Sequence, residues 1–134
     1  MIKAEGLDNV FRRHAMLAET VRRAVAVWAR GKAFDFNIEK PGERSDTVTT
    51  MVMAEDRDPR PLLAYCKECG VVLGQGIGAL SGKSFRIAHM GHLNAPMVLG
   101  TLGVIEMALG ALAIPHRKGG VQAAIDWLGE NVKL

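Results

Sequence analysis

Gly82-Lys83-Ser84-Phe85-Arg86-Ile87-Ala88-His89-Met90-Gly91 sets one permanent cation, Arg86, inside a short run between glycine-rich turns. The run reads as a strand over 83–88. Alternation then puts Ser84, Arg86 and Ala88 on one face and Lys83, Phe85 and Ile87 on the other. A guanidinium flanked by small residues presents a planar fork of donors with open space around it. That suits bidentate capture of a small carboxylate, a geometry lysine cannot reproduce. From the residues alone, an internal ion pair or a surface position is the commoner use of a strand arginine.

Upstream of this strand, Val71-Val72-Leu73 predicts a brief buried strand that leads into the glycine-rich turn Gly74-Gln75-Gly76-Ile77-Gly78. The spacing is not a dinucleotide fingerprint and no helix follows at once, so the glycines serve a tight turn beside a ligand or another chain. Further back, Phe34 to Ile38 alternates as a strand and a polar turn from Glu39 to Ser45 follows. Asp46 to Ala54, rich in threonine and valine, is a second strand. Asp58-Pro59 opens a short helix over Pro59 to Glu68, which Gly70 ends.

The first helix has a clear stripe. Leu7, Val10, Phe11, His14, Leu17, Ala18, Val21, Val25 and Trp28 recur at three and four residues, and Arg12, Arg13, Glu19, Arg22 and Arg23 fall elsewhere as a solvated face. His14 on that stripe reads as a packed or boundary histidine. Gly31 closes the helix. Downstream of Arg86, residues 89–94 form a loop in which His89, His92 and Asn94 are loop and capping residues, and alternation turns His89 away from the Arg86 face. Asn94 caps a long helix that tolerates Pro96 in its first turn and is ended by Pro115. A final helix, Val121 to Asn131, puts Val121, Ile125 and Leu128 on one face with Trp127 flanking it.

Ala95 to Pro115 holds a single charge, Glu106, and is long enough to span a bilayer. A mid-segment glutamate costs about 2.5–3.5 kcal/mol at a bilayer centre, and three glycines lower the hydrophobicity. The segment therefore reads as a helix buried against two surfaces, with Gly100, Gly103 and Gly110 allowing close approach and Glu106 its one group to show to water. Helix, strand, strand, helix, strand, strand, helix, helix gives an α+β two-layer sandwich, a small, mostly antiparallel sheet covered by helices. No linker, repeat or low-complexity segment divides residues 1–134, so one domain is expected.

At 134 residues and 49% hydrophobic, the chain is long enough to bury a core. Its net charge of +3 is scattered in pairs and its aromatics are 5% of the chain, which argues against a nucleic-acid platform. Cys66 and Cys69 form a lone CxxC with no second ligand pair for zinc and no thioredoxin-like context; they read as two reduced, partly buried thiols of a cytoplasmic protein. No metal site and no membrane partner is expected. Lys3, Glu5 and Asp8 interrupt the apolar residues at the start, so no signal peptide is read there.

The stretch around Arg86 resembles the C-terminal signature of class V pyridoxal-phosphate aminotransferases, the serine–glyoxylate and alanine–glyoxylate group. Gly6-Leu7-Asp8-Asn9-Val10-Phe11-Arg12-Arg13-His14 is similar to the start of that family's small-domain helix. Asp46-Thr47-Val48-Thr49-Thr50 is similar to the strand that follows, and Gly74 to Gly78 with Leu80, Gly82 and Lys83 to the glycine-rich turn before the signature strand. The likeness covers nearly the whole chain. It implies the aminotransferase small-domain fold and makes Arg86 the substrate-binding residue that holds a small carboxylate substrate. Ala88 stands where the family usually has glycine.

By the same likeness the Schiff-base lysine, the aspartate on the pyridine nitrogen and the phosphate-binding groups lie in a large domain upstream of the matched region, a missing large aminotransferase domain here. None of the seven lysines carries over as catalytic. The cofactor is pyridoxal phosphate by resemblance and is not expected to bind this chain alone. Two uses are then open: the C-terminal, substrate-closing domain of a transaminase, or a stand-alone, self-associating module derived from it. Apolar helix faces left uncovered point to a homo-oligomer, a dimer in the first instance.

Overall fold

The computed structural model describes residues 2–91 and 93–132. In chain order the elements are α1 (Ile2–Glu5), α2 (Leu7–Trp28), β1 (Phe34–Phe36), β2 (Val48–Met53), α3 (Arg60–Glu68), β3 (Gly74–Gln75), β4 (Ser84–Ala88), α4 (Ala95–Ala111) and α5 (Gly120–Asn131). The strands make one antiparallel sheet in the spatial order β1-β2-β4-β3. The α+β two-layer architecture expected from the sequence is the one formed.

One face of the sheet makes the core. Phe34, Met51, Met53, Phe85 and Ile87 point into it, and Phe34 meets Phe85 edge to face at 5.5 Å between ring centroids. Leu17, Val21, Val25 and Trp28 of α2, Leu62 and Cys66 of α3, Leu102, Ile105 and Leu109 of α4, and Ala124 of α5 complete it. The opposite face carries Asp35, Val48, Thr50, Val52, Arg86 and Ala88, all half-buried or exposed.

The apolar stripe of α2 joins the core cluster only from Leu17 onward, although Val10 is also buried. Leu7 and Phe11 are 55% and 61% exposed, outside the cluster that begins at Leu17. The expected strand at Val71-Val72-Leu73 is also displaced. Val72 is 81% exposed, Leu73 alone of the three is buried, and pairing with β4 begins at Gly74, opposite Arg86. In α5, Gly120, Ala124 and Leu128 form the buried row, and Ile125 faces out.

In α4, Val98, Leu102, Ile105, Ala108 and Leu109 face the core and Met97 and Met107 face out. Asn94 caps it as expected, its side-chain oxygen accepting from Met97 N–H at 2.9 Å. It ends at Ala111, before Pro115. Ala113 turns into the left-handed region (φ 52°) and the Ile114 N–H returns to the Leu109 carbonyl at 3.0 Å. Gly100, Gly103 and Gly110 do not mediate close packing among the described residues, since a methyl group on each would meet open space there. The close approaches are elsewhere: a Cβ at Gly31 would overlap the Pro115–His116 backbone, and one at Gly120 would overlap the Trp28 ring. No helix among the described residues is long and apolar enough to cross a membrane.

Glu106 is half-buried and turned between the helices, not simply outward. Its Oε1 accepts from Trp28 Nε1–H at 2.7 Å and from the backbone N–H of Gly120 at 2.9 Å, tying α2, α4 and α5 together. The carboxylate meets the N-terminus of α5, where the helix dipole favours negative charge. The expected outward glutamate is turned partly inward because two donors on neighbouring helices need an acceptor at this point.

His89 is fully buried on the core side, as alternation requires. Its Nδ1 lies 3.0 Å from the Asp46 carbonyl, which can only accept, so Nδ1 carries the hydrogen and Nε2 accepts from the Thr49 hydroxyl at 2.8 Å. Desolvation drives its pKa down to about 4, with Arg22 adding to the effect and the Asp46 carbonyl opposing it.

Removal of the Glu106 carboxylate in Glu106→Ala strands two donors and should lower stability by about 2–3 kcal/mol, while Glu106→Gln, which keeps an acceptor, should lose about 1 kcal/mol or less. Urea midpoints check both. For His89, the unfolded state binds the additional proton between about pH 6.5, the free value, and about pH 4. Its contribution is therefore complete above about 6.5 and falls as pH drops toward 4, at up to about 1.4 kcal/mol per pH unit. Urea midpoints of the native chain should drop more steeply than those of His89→Gln over this range; parallel curves would contradict the assignment.

Candidate functional site

Arg86 sits in the centre of β4, opposite Thr50 of β2 on one side and Gly74 of β3 on the other. Phe85 and Ile87 anchor the strand in the core, so Arg86 is forced onto the opposite face, where it is half-buried. Its Nε donates to the Gln75 carbonyl at 2.9 Å. A methyl group built on Gly74 would lie 3.1 Å from Arg86 Nε, 3.2 Å from its Cβ and 3.4 Å from Nη2, so the side chain runs directly over the β3 backbone.

Arg86 forms no ion pair among the described residues, and neither Nη1 nor Nη2 has a hydrogen-bond partner there. The internal ion-pair use of this arginine is thereby excluded within the described chain. With Nε engaged, the free two-donor edge is Nη1/Nη2, which matches the two oxygens of a carboxylate end-on.

The neighbours on this face are not all open. Ser84 is buried, and its hydroxyl donates to the Leu80 carbonyl at 3.0 Å. A Cβ at Gly76 would overlap both Ser84 Oγ and Leu80 O, so this glycine serves contact inside the chain and not contact with a ligand or another chain. Ala88, by contrast, is exposed, and its methyl group stands on the Arg86 side of the strand.

The loop that leaves β4 is held by two α2 residues, Arg13, which the sequence placed on the solvated face, and His14. Arg13 Nη1 donates to the carbonyls of Gly91 at 2.6 Å and Leu93 at 3.1 Å, while its Nε and Nη2 grip the Glu5 carboxylate at 2.8 and 3.0 Å. The hydrogen bond to Glu5 raises the Arg13 pKa further. His14 donates from Nδ1 to Val10 O and accepts the Gly91 N–H on Nε2 at 3.1 Å, a boundary histidine as expected. Arg22 likewise leaves the solvated face, bonding Ser45 O at 2.7 Å and the Asp46 carboxylate at 3.1 Å. The one available signal was helical geometry, which sets positions 13 and 22 at the margin of the apolar stripe. His92 lies outside the described residues.

Cys66 is buried and Cys69 exposed, both free. Burial, with a smaller effect from Cys69, pushes the Cys66 thiol up to about 11, which makes it a poor nucleophile. No cluster of His, Cys, Asp or Glu among the described residues could hold a metal ion. For pyridoxal phosphate the donor set among the described residues does not fit: Lys3, Lys32, Lys40, Lys67, Lys83 and Lys118 are all exposed, whereas a Schiff-base lysine needs a desolvated or charge-crowded setting.

No family profile matches the chain. Serine–glyoxylate aminotransferase of Methylorubrum extorquens is 38% identical over 130 residues, covering 95% of this chain and 31% of the enzyme. L-aspartate–glyoxylate aminotransferase of Paracoccus denitrificans is 36% identical over 125 residues, covering 92% of this chain and 31% of the enzyme. The crystal structure of pyridoxamine–pyruvate aminotransferase from Mesorhizobium loti superposes with a TM-score of 0.85 at 25% identity, covering 97% of this chain and 33% of that one. The chain spans about a third of the length of these relatives, and that third is their C-terminal one.

Proposed function

We propose, for a chain homologous over nearly its whole length to the C-terminal third of class V aminotransferases, that it serves as the substrate-closing domain of a transaminase of the serine/alanine–glyoxylate type. The observation that carries this reading is the Arg86 guanidinium, held through Nε and free along Nη1/Nη2 on the sheet face that lies away from the core. It binds the carboxylate of the amino or keto acid and orients it, each charge-assisted hydrogen bond contributing about 1.5–3 kcal/mol. Pyridoxal phosphate and its lysine belong to a large domain, which supplies the amino-transfer chemistry. Ala88 narrows the space beside Arg86 and favours small acids. The working enzyme is on this reading a cytoplasmic homo-oligomer.

A second reading has its own observation. Leu7, Phe11, Met97 and Met107 are all half-exposed or more, and apolar surface of this kind drives association. A stand-alone, self-associating module would use those faces with no chemistry.

In a fusion of this chain to the large domain of the Methylorubrum extorquens enzyme, Arg86→Lys should raise KM for amino and keto acids at least about tenfold, a loss of about 1.4 kcal/mol of binding. The thermal midpoint should move little, since the side chain makes one backbone hydrogen bond. Unchanged kinetics in an unfolding variant would instead make Arg86 structural. For the chain alone, light scattering over a dilution series should show a mass above the monomer that falls with concentration. A strict monomer at every concentration would remove the self-associating module.

A further inference from the structure

Arg86 is not positioned by its own strand alone. β3 is only two residues long, yet it supplies both things that fix the guanidinium: the Gln75 carbonyl that accepts from Nε at 2.9 Å, and the bare backbone of Gly74 over which the side chain lies. The backbone at Gly74 is not in the left-handed region that would by itself demand glycine. Conformation therefore does not account for glycine at this position, and the space taken by Arg86 does.

Gly76, two residues on, is a useful contrast. A Cβ there would collide with Ser84 Oγ and with the Leu80 carbonyl, which is backbone and cannot swing aside. At Gly74 the neighbours are all on one side chain: Arg86 Nε and Nη2 at its flexible end, which can yield, and its Cβ at 3.2 Å, which asks for a small shift only. An added methyl group at Gly74 would press on Arg86 Nε and so would displace the guanidinium relative to the Gln75 carbonyl, with no backbone clash of the kind found at Gly76.

We infer that Gly74 is a positioning residue for carboxylate recognition: β3 holds Arg86 so that the side-on Nε/Nη2 edge is closed and the end-on Nη1/Nη2 edge is the one offered to ligand. This rests on the proposed role of Arg86 and adds to it the geometry of approach and the residue that sets it. Preorganisation of this kind acts on binding of the carboxylate held by the guanidinium and leaves groups that act on the amino end untouched.

Two measurements test it. In the chain alone, 15N-detected NMR should show the Arg86 Nε–H exchanging slowly with solvent, and Gly74→Ala should speed that exchange while the thermal midpoint stays within a few degrees. Unchanged exchange in Gly74→Ala would overturn the positioning role. In the fusion described above, assayed with serine and glyoxylate, Gly74→Ala should raise KM about five- to tenfold with kcat within about twofold, and should add nothing further on top of Arg86→Lys. A full additional increase in the double variant, or a native KM in Gly74→Ala while Arg86→Lys is impaired, would overturn this inference and leave Arg86 as the carboxylate ligand. A native KM in Arg86→Lys would remove the carboxylate role and this inference with it.

Discussion

The carboxylate of Glu106 is the constraint on which the helical layer depends. It is the only charge in α4, and it satisfies the indole N–H of Trp28 and the first backbone N–H of α5 together. The geometry requires glycine at 120, because any side chain there would enter the volume of the Trp28 ring. Three helices are thus brought to one point by one acceptor and one missing side chain. Because α2 also packs on β1 and β2, this point sets how the helical layer lies against the sheet.

The sheet turns that support into a site. Burial of Phe85 and Ile87 leaves Arg86 no choice of face, since successive side chains on a strand point to opposite sides. Its register neighbours then differ in kind: Thr50 on the inner strand, a glycine on the edge strand. The guanidinium lies over the side with no side chain, so a two-residue strand decides which donors stay free among the described residues.

Around this strand the chain is held by side chains instead of secondary structure. Arg13 and His14 bind the backbone of the loop that follows β4, and Arg22 and His89 bind the backbone that precedes β2. Each satisfies carbonyl or amide groups that no ladder reaches. The ends of the two central strands are therefore fixed from α2, the same helix that contributes Trp28 to the Glu106 contact. Displacement of α2 would be felt both in the core and at the loop beside Arg86.

The α+β order, the strand at 84–88 with its two faces, the turn of His89 toward the core and the Asn94 cap were all legible in the sequence. They follow from local rules: the two-residue period of strands, the helical period, and the hydrogen-bonding needs of a helix start. The resemblance of the glycine-rich turn and the Arg86 strand to an aminotransferase was legible for the same reason, since both lie in one continuous stretch. What lay beyond the sequence depends on which elements meet. The inward turn of Glu106, the reach of Arg13 to residues 91 and 93 and the shift of β3 from Val71–Leu73 to Gly74–Gln75 each join groups apart in the chain or set one against a neighbouring strand. Composition alone cannot tell a glycine that relieves backbone strain from one that makes room. Tertiary structure decides it, because the space at Gly74 and Gly120 is filled by Arg86 and Trp28, residues from other elements.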